Sequence, residues 1–224
     1  MDTTDQALLD AQRQAEDLFA AACAADLIRA GRLESEISAD IHQLARERWG
    51  LRRHWHRRVV RSGPHTVLTY YDEAPDRRVC EGELVVLDFG PVFGEWEADY
   101  GRTYLLGEDE EKARLLADVD RALADGRAHW RRTPGLTAGA MYDHVAALAR
   151  AAGWQFGAPT AGHPIGRFPH ERAPRGQSHS IRSGNPLALD APRADGSTRH
   201  WILEIHFVDA ARGLGAFREE LLTL

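Results

Sequence analysis

The stretch Glu83-Leu84-Val85-Val86-Leu87-Asp88-Phe89-Gly90 decides how this chain folds. Its apolar run is typical of a buried β-strand that ends at a glycine. Asp88 interrupts this run, and Glu204 interrupts the apolar segment 201–208 in the same way. Burying a carboxylate in such a strand costs several kcal/mol unless a charged partner or a metal ion compensates. The two segments therefore predict a buried sheet whose carboxylates have a charged partner or bind a metal ion.

Helical patterns lie on both sides of these strands. Hydrophobic spacing and capping residues predict four helices, the first ending at Gly31 and the second with Ser35 as its N-cap: 5–31, 36–48, 109–132 and 137–152. Further strands are predicted over 98–106 and 215–223, and loops with short strands over 157–192. This order predicts an α+β fold in which helices pack on a mostly antiparallel sheet.

The composition limits the class of protein. A chain of 224 residues suits a single domain over 1–224, with the N-terminal helices at about 5–48 packed on it. The net charge of −6 argues against nucleic-acid or anionic-membrane binding. Cys23 and Cys80 form no Cys-x-x-Cys pair, so neither a thiolate zinc site nor a disulfide is expected. No leader or membrane-crossing run is visible, and we expect a cytoplasmic protein.

A second aspartate follows Asp88 across a predicted turn. Gly90, Pro91 and Gly94 mark this turn, and Asp99 stands at the start of the next strand. Adjacent antiparallel strands would bring the two carboxylates together, where they repel each other unless cations intervene. Either aspartate alone is equally well explained as a salt-bridged or turn-capping residue. The pair, at the ends of apolar strands, favours a metal site.

Histidines supply further candidates. Strand alternation places Glu204 and His206 on one face of segment 201–208. His163 follows a glycine that permits close backbone approach, and His170 lies in the same Gly-containing segment. A histidine in a loop is usually a polar surface residue, but these two accompany buried carboxylates and are therefore better candidates.

Five short motifs occur along the chain in a fixed order: Leu87-Asp88-Phe89-Gly90, Ala98-Asp99-Tyr100-Gly101-Arg102-Thr103, Gly162-His163-Pro164-Ile165-Gly166 with His170-Glu171, Leu203-Glu204-Ile205 and Phe217-Arg218-Glu219-Glu220. In this order they resemble the pita-bread metallopeptidases, which include methionine aminopeptidases, Xaa-Pro aminopeptidases and prolidases. Each motif alone is weak, but together they are specific. The resemblance covers roughly residues 10–224 and implies the pita-bread fold, a curved, mostly antiparallel sheet flanked by helices.

The resemblance also implies a metal centre. It makes these five residues the ligands of two divalent metal ions: Asp88, Asp99, His163, Glu204 and Glu219. Glu219 is chosen over Glu220 by alignment, since neighbouring strand residues point to opposite faces. One histidine with four carboxylates favours Mn, Fe or Co, with Zn as a further option.

The implied activity is cleavage of an amide bond by a metal-bridging hydroxide, in an aminopeptidase or an Xaa-Pro-type dipeptidase. His170, helped by His206, would contact the developing oxyanion or move a proton, and Glu204 would accept the proton from water. Prolidases carry a further N-terminal domain without a counterpart in these residues, which predicts a bare catalytic domain. The substrate would be a peptide or another small molecule, and a homodimer is one assembly that the resemblance allows.

The sequence departs from the family near the substrate. The stretch 68–71, where the family often has a substrate-contacting histidine, reads Leu-Thr-Tyr-Tyr, and Ile205 replaces a usual proline. Tyr70, His54 and His56 are therefore substrate-binding candidates, with a partly exposed aromatic and basic loop as the alternative explanation for segment 54–56. Two other functions stay open: an enzyme of the same fold that acts on a non-peptide metabolite, and a pita-bread binding protein without catalysis.

Overall fold

The structure is a computed structural model that describes residues 3–174 and 178–224. Within those residues the helices are α1 (Thr3–Ala24), α2 (Glu34–Trp49), α3 (Glu110–Arg132) and α4 (Ala138–Ala151), with a short 3₁₀ helix at Gly63–Val67. The strands are β1 (Val59–Ser62), β2 (Leu84–Phe89), β3 (Val92–Phe93), β4 (Trp96–Glu97), β5 (Tyr100–Leu105), β6 (Gln155–Phe156), β7 (Pro164–Ile165), β8 (His200–Asp209) and β9 (Leu214–Leu221). The part of the predicted loop region at 175–177 lies outside the described residues.

The main sheet is antiparallel in every pairing that its described strands make. Its strands follow the order β1-β2-β5-β9-β8-β6, and β7 pairs with β8 beside this path. Strands distant in sequence are thereby neighbours, since β9 lies between β5 and β8. The fold confirms the predicted α+β class with a mostly antiparallel sheet.

Helices cover one face of this sheet, because alternate strand residues are apolar. Val85, Leu87 and Phe89 on β2 join the core formed with α1 and α2. Leu203 and Ile205 on β8 join the core formed with α3 and α4. The opposite positions on these strands, which include Asp88 and Glu204, are left to face away from the helices. The packing of the helices therefore determines which face of the sheet carries the acids.

Two predicted helix boundaries were wrong. Helix α1 ends at Ala24 rather than Gly31, because Asp26 adopts a positive φ of 53° and the Leu27 N–H donates to the Ala22 carbonyl at 3.0 Å. Helix α2 begins at Glu34, so Ser35 is not its N-cap. The Ser35 hydroxyl instead donates to Asp76 Oδ2 at 2.6 Å. Glu36 accepts from the Leu33 N–H at 2.9 Å and stabilises this helix terminus.

Among the described residues, none of the helices combines the length and the apolar character required to cross a membrane.

Candidate metal centre

One row of residues across the sheet brings three acids together. Asp88 on β2 is paired with Gly101 on β5, Gly101 with Glu219 on β9, and Glu219 with Glu204 on β8. Gly101 has no side chain between its neighbours, and a Cβ there would lie 2.6 Å from Phe217 Cδ1 and 3.0 Å from the Glu219 Cβ. Glycine at this register position is therefore required for the carboxylates to share one space.

Asp99 and His163 complete the predicted set. Asp99, two residues before Gly101, is 3% exposed, and its Oδ2 lies 3.0 Å from His163 Nε2. His163 Nε2 is also 3.5 Å from Glu204 Oε1 and 3.9 Å from Glu219 Oε1. The structure thus places all five predicted ligands in one cluster.

Glycine also explains how His163 reaches the cluster. Gly162 has a φ of 140°, and a Cβ there would lie 3.0 Å from the Ile202 carbonyl carbon. The Ile202 N–H donates to the His163 carbonyl at 2.9 Å, which fixes this loop against β8. Close backbone approach, as the sequence predicted, therefore positions the imidazole.

A second histidine joins the cluster from the segment before β1. His56 Nε2 lies 3.0 Å from Asp99 Oδ1 and 3.5 Å from Asp88 Oδ1. Its side chain is 7% exposed. His56 was expected as a substrate-binding residue, but its ring nitrogen lies among the predicted metal ligands.

Glu219 and Glu220 have different surroundings. Glu220 ion-pairs with Arg102, with Arg127 at 2.6 Å and with Arg218 at 2.9 Å. Glu219 is 2% exposed and has no arginine among its ion pairs; its Oε2 has no hydrogen-bond partner in the described part of the chain. Three arginines thus neutralise the outer acid, and the inner acid is left without a permanent cation.

The electrostatics of the cluster show an excess of negative charge. Burial raises the pKa of Asp88 to about 6 and that of Glu204 to about 7, with neighbouring carboxylates acting in the same direction. Burial and the carboxylates of Asp99 and Asp88 raise the pKa of Glu219 well above its ordinary value. The folded protein without cations therefore releases the protons of these acids at higher pH than free carboxylic acids do.

For the two imidazoles, burial and the neighbouring acids shift the pKa in opposite directions. Burial alone would lower the pKa of His56, but Asp99 and Asp88 raise it to about 9. The same competition, with Asp99 and Glu204 as the acids, raises the pKa of His163 to about 9. Asp99, between both rings, has its pKa lowered to about 2 despite burial.

Divalent cations fit this arrangement. The orphaned Glu219 Oε2 is a buried acceptor without a donor, and such groups cost free energy unless an ion or water compensates. Four carboxylates and two imidazoles form a donor set of oxygen and nitrogen that suits divalent ions of the first transition row. Bound cations would displace the protons that these groups otherwise hold.

The cluster opens into a cavity of about 200 Å³. Its walls combine the acids with aromatic and polar side chains, among them Trp55, Arg61, Tyr70, Tyr71, His206 and Phe217. Tyr70 packs edge-on against His56 with ring centroids 5.6 Å apart. A cavity of this size next to the cluster admits a small substrate.

His206 lines this cavity, on the same face of β8 as Glu204, as predicted. Its ring Nε2–H donates to the Thr66 carbonyl at 2.8 Å. Burial lowers the pKa of His206 to about 4, so the ring is neutral at neutral pH. This hydrogen bond commits one ring nitrogen to the main chain and limits proton transfer to the other.

His170 and His54 do not line the cavity. His170 Nδ1–H donates to Glu97 Oε2 at 2.7 Å, and its ring stacks on His163 with centroids 5.9 Å apart. His54 packs beside His42 and Phe89, at centroid distances of 5.2 and 5.8 Å. The position of His54 corrects the expectation that it binds substrate, because the irregular segment turns this ring toward α2.

Sequence reasoning missed Glu97, Trp55 and Arg61. Glu97 is 1% exposed and holds His170, whereas Glu171, part of the expected His-Glu motif, ion-pairs with Arg199 at 3.2 Å. The signal for Glu97 was its position two residues before Asp99, immediately before the strand predicted over 98–106.

Comparisons with known proteins agree with this geometry. The solved structures that resemble this chain include the prolidase from Pyrococcus furiosus, with a TM-score of 0.76, 20% identity and coverage of 99% of this chain and 60% of that one. The Xaa-Pro dipeptidase from Bacillus anthracis has a TM-score of 0.77 and 22% identity, covering 100% of this chain and 61% of that one. At these identities the likeness shows the fold, and it confirms the predicted pita-bread architecture.

The sequence matches metallopeptidase family M24 over residues 6–202, and the chain belongs to this family. Among curated relatives, the probable dipeptidase PepE from Mycobacterium tuberculosis is 32% identical over 71% of this chain and 40% of its own length. The Xaa-Pro dipeptidase from Pyrococcus furiosus is 27% identical over 64% of this chain and 41% of its own length. The chain thus spans less than half the length of these curated relatives. Membership of a metallopeptidase family implies divalent metal ions.

Proposed function

We propose that this chain is a dinuclear metal-dependent hydrolase that cleaves an amide bond in a small peptide, as an aminopeptidase or an Xaa-Pro-type dipeptidase. The observation that carries the proposal is the convergence of four carboxylates and one imidazole from five separate segments on one buried cluster beside a cavity. Membership of family M24 and relatives named Xaa-Pro dipeptidase and dipeptidase support it.

The proposed ligands of two divalent ions are Asp88, Asp99, His163, Glu204 and Glu219. When bound, such ions supply Lewis-acid polarisation of the amide carbonyl and lower the pKa of water. Mn, Fe or Co are the proposed metals, with Zn as a further option. The four carboxylates balance the charge of two divalent ions, which removes the repulsion that the buried cluster otherwise contains.

The remaining chemistry falls to the chain's own side chains. Glu204 is the proposed proton acceptor, because its carboxylate lines the cavity and bound cations would hold it ionised. His170, held by Glu97 and stacked on His163, stays the proposed contact of the developing oxyanion, which requires its ring to turn toward the cavity. Trp55 and Tyr70 line the cavity and exclude water from the substrate.

A turnover assay tests this proposal. The metal-free protein is reconstituted with Mn²⁺, Fe²⁺, Co²⁺ or Zn²⁺ and offered Xaa-Pro dipeptides, Met-peptides and amino-acid p-nitroanilides. We expect hydrolysis of at least one class with a metal dependence, and loss of that hydrolysis in Glu204→Gln. Absence of turnover with every peptide and metal would reject the peptidase proposal.

A second candidate is an enzyme of the same fold that acts on a non-peptide metabolite. It is favoured by the wall of the cavity, where Tyr70 and Tyr71 occupy the stretch in which peptidases often have a histidine. Turnover of small C–N compounds in the absence of peptide hydrolysis would favour this candidate. A non-catalytic binding protein is the third, and less than one bound ion per chain after reconstitution would favour it. Homodimer formation and a cytoplasmic location stay predictions.

A further inference from the structure

We propose that His56 is a direct ligand of the metal centre, so that the chain holds its ions with two imidazoles and four carboxylates. The inference rests on the metal centre of the proposed function but not on its substrate. It replaces the expectation that His56 binds substrate.

The positions of the ligand atoms carry the first step. His56 Nε2 lies 3.0 Å from Asp99 Oδ1 and 3.5 Å from Asp88 Oδ1. Two atoms bound to one ion at about 2.1 Å are about 3.0 to 3.4 Å apart in octahedral or tetrahedral geometry. The two distances from His56 Nε2 are thus close to the spacing of ligands that share one cation, and one ligand atom from each of the three side chains lies within 4.8 Å of the other two.

Asp99 provides the second step, because its two oxygens meet different rings. Oδ2 faces His163 Nε2 at 3.0 Å, and Oδ1 faces His56 Nε2 at 3.0 Å. The carboxylate is thus flanked by two imidazoles in equivalent relations. If His163 binds one of two ions that share the Asp99 carboxylate, His56 is placed to bind the second ion in the same way.

Tautomer geometry provides the third step. The His56 Nδ1–H donates to the Arg57 carbonyl at 2.6 Å, and the His163 Nδ1–H donates to the Pro164 carbonyl at 2.9 Å. In the neutral ring this hydrogen bond leaves Nε2 with a lone pair, which is the arrangement that a metal-binding histidine requires. Without a cation, that lone pair would face two carboxylate oxygens.

Charge balance favours metal ions over protons as the partner of His56. The cluster contains four carboxylates: Asp88, Asp99, Glu204 and Glu219. A second proton on each imidazole would offset two of these charges, whereas two divalent ions offset all four and leave both rings neutral.

The ring is also held in place by packing. Gly90 has no Cβ, and one built there would lie 2.5 Å from His56 Nε2. The preceding residues pair with the same segment, since the Trp55 N–H donates to the Gly90 carbonyl at 2.9 Å and the Val92 N–H to the Arg53 carbonyl at 3.1 Å. The Trp55 ring packs on His56 with centroids 4.4 Å apart. These contacts hold the His56 ring in a preorganised position, unlike that of a mobile surface histidine.

A second imidazole changes the preferred ion. Carboxylates suit Mn²⁺, whereas imidazole suits Zn²⁺, Fe²⁺ and Co²⁺. His56 should therefore favour Zn²⁺ and Co²⁺ over Mn²⁺ in one of the two sites.

Metal-binding titrations test this inference without any substrate. Metal-free wild type and the variants His56→Phe, His163→Phe and His54→Phe are titrated with Zn²⁺ and Mn²⁺ against a chromophoric chelator. Losing an outer-shell partner costs about 10- to 100-fold in affinity, so we expect His56→Phe to weaken Zn²⁺ binding at one site by more than 100-fold. The loss for Mn²⁺ should be smaller, and His54→Phe, the matched control in the same segment, should retain wild-type affinity. A Zn²⁺ loss of 100-fold or less in His56→Phe would overturn the inference.

Nitrogen NMR of the wild type keeps the inference testable if His56→Phe does not fold. Of the eleven histidines, we expect two to show the Nε2 shift of a Zn²⁺-bound imidazole when the ¹⁵N-histidine-labelled protein is loaded. A single such ring would overturn the assignment. Both readouts are independent of turnover, so a failed peptidase assay leaves this inference standing.

Discussion

The buried acids make the metal-free protein sensitive to pH in an unusual direction. Asp88, Glu204 and Glu219 have folded-state pKa values above their ordinary ones, as do His56 and His163. Between about pH 6.5 and 9 these groups make the folded state bind more protons than the unfolded state, whereas below pH 6.5 the lowered pKa values of His54 and His206, about 3 and about 4, act in the opposite direction. The free energy of unfolding of the metal-free protein should fall as pH rises through this window.

The size of this effect follows from the shifts. One pKa unit corresponds to 1.36 kcal/mol, so the rise of Glu204 from 4.5 to about 7 costs roughly 3 kcal/mol by pH 7. Each group that remains protonated only in the folded state adds a slope of about 1.4 kcal/mol per pH unit. The lowered pKa of Asp99, about 2, acts below this window and leaves the sign unchanged.

The perturbation that isolates the effect is Glu219→Gln, which removes one such group. We expect its slope between pH 6.5 and 8 to be flatter than that of the wild type by about 1 kcal/mol per pH unit. The matched control is Glu220→Gln: the neighbouring acid faces three arginines, and its pKa is lowered, so it titrates below the window.

The assay is urea unfolding of the chelator-treated proteins, followed by tryptophan fluorescence at several pH values. Glu220→Gln should lose stability while keeping the wild-type slope. Saturating Mn²⁺ or Zn²⁺ should raise the stability of the wild type and remove its fall with pH, because bound ions displace the protons. A metal-free wild type whose stability rises from pH 6.5 to 8, or equal slopes in all three proteins, would refute the reasoning.

Three further changes probe other parts of the structure. Gly101→Ala places a methyl group 2.6 Å from Phe217 Cδ1, which should lower the free energy of unfolding by about 1–3 kcal/mol and weaken metal binding. Urea unfolding and metal titration measure the two effects. Wild-type values in both would contradict the claim that glycine is required for the acids of this row to share one space. Glu97→Gln weakens the hydrogen bond that holds the His170 ring and should lower kcat by roughly 10- to 100-fold with unchanged metal content. Steady-state kinetics equal to wild type would argue against a catalytic contribution of the Glu97–His170 pair. Leu203→Ala leaves a cavity at a fully buried position and should lower the free energy of unfolding in urea by about 2–5 kcal/mol, while the protein still binds two ions. A smaller loss would show that the core packed against β8 relaxes into the space left by the side chain.

Much of the cluster could be predicted because strand periodicity determines which side chains share a face. Asp88 and Glu204 each interrupt an apolar strand, and their register across Gly101 and Glu219 follows once the strands pair. Local sequence therefore contains most of the information about these positions.

Positions that depend on irregular backbone could not be predicted in the same way. Which ring of segment 54–56 turns inward is decided by the isolated bridge between His54 and Pro91 and by the gap at Gly90. The positive φ of Asp26 ends α1 early, although the helical spacing of apolar residues continues beyond Asp26. Neither feature has a periodic pattern, so only tertiary packing reveals it.

Anomalous diffraction from crystals grown with Mn²⁺ or Zn²⁺ tests the central claim most directly. We expect two anomalous peaks among the carboxylates of Asp88, Asp99, Glu204 and Glu219. Crystals that show no peak in this cluster at saturating metal, with the four acids instead sharing protons, would contradict the account.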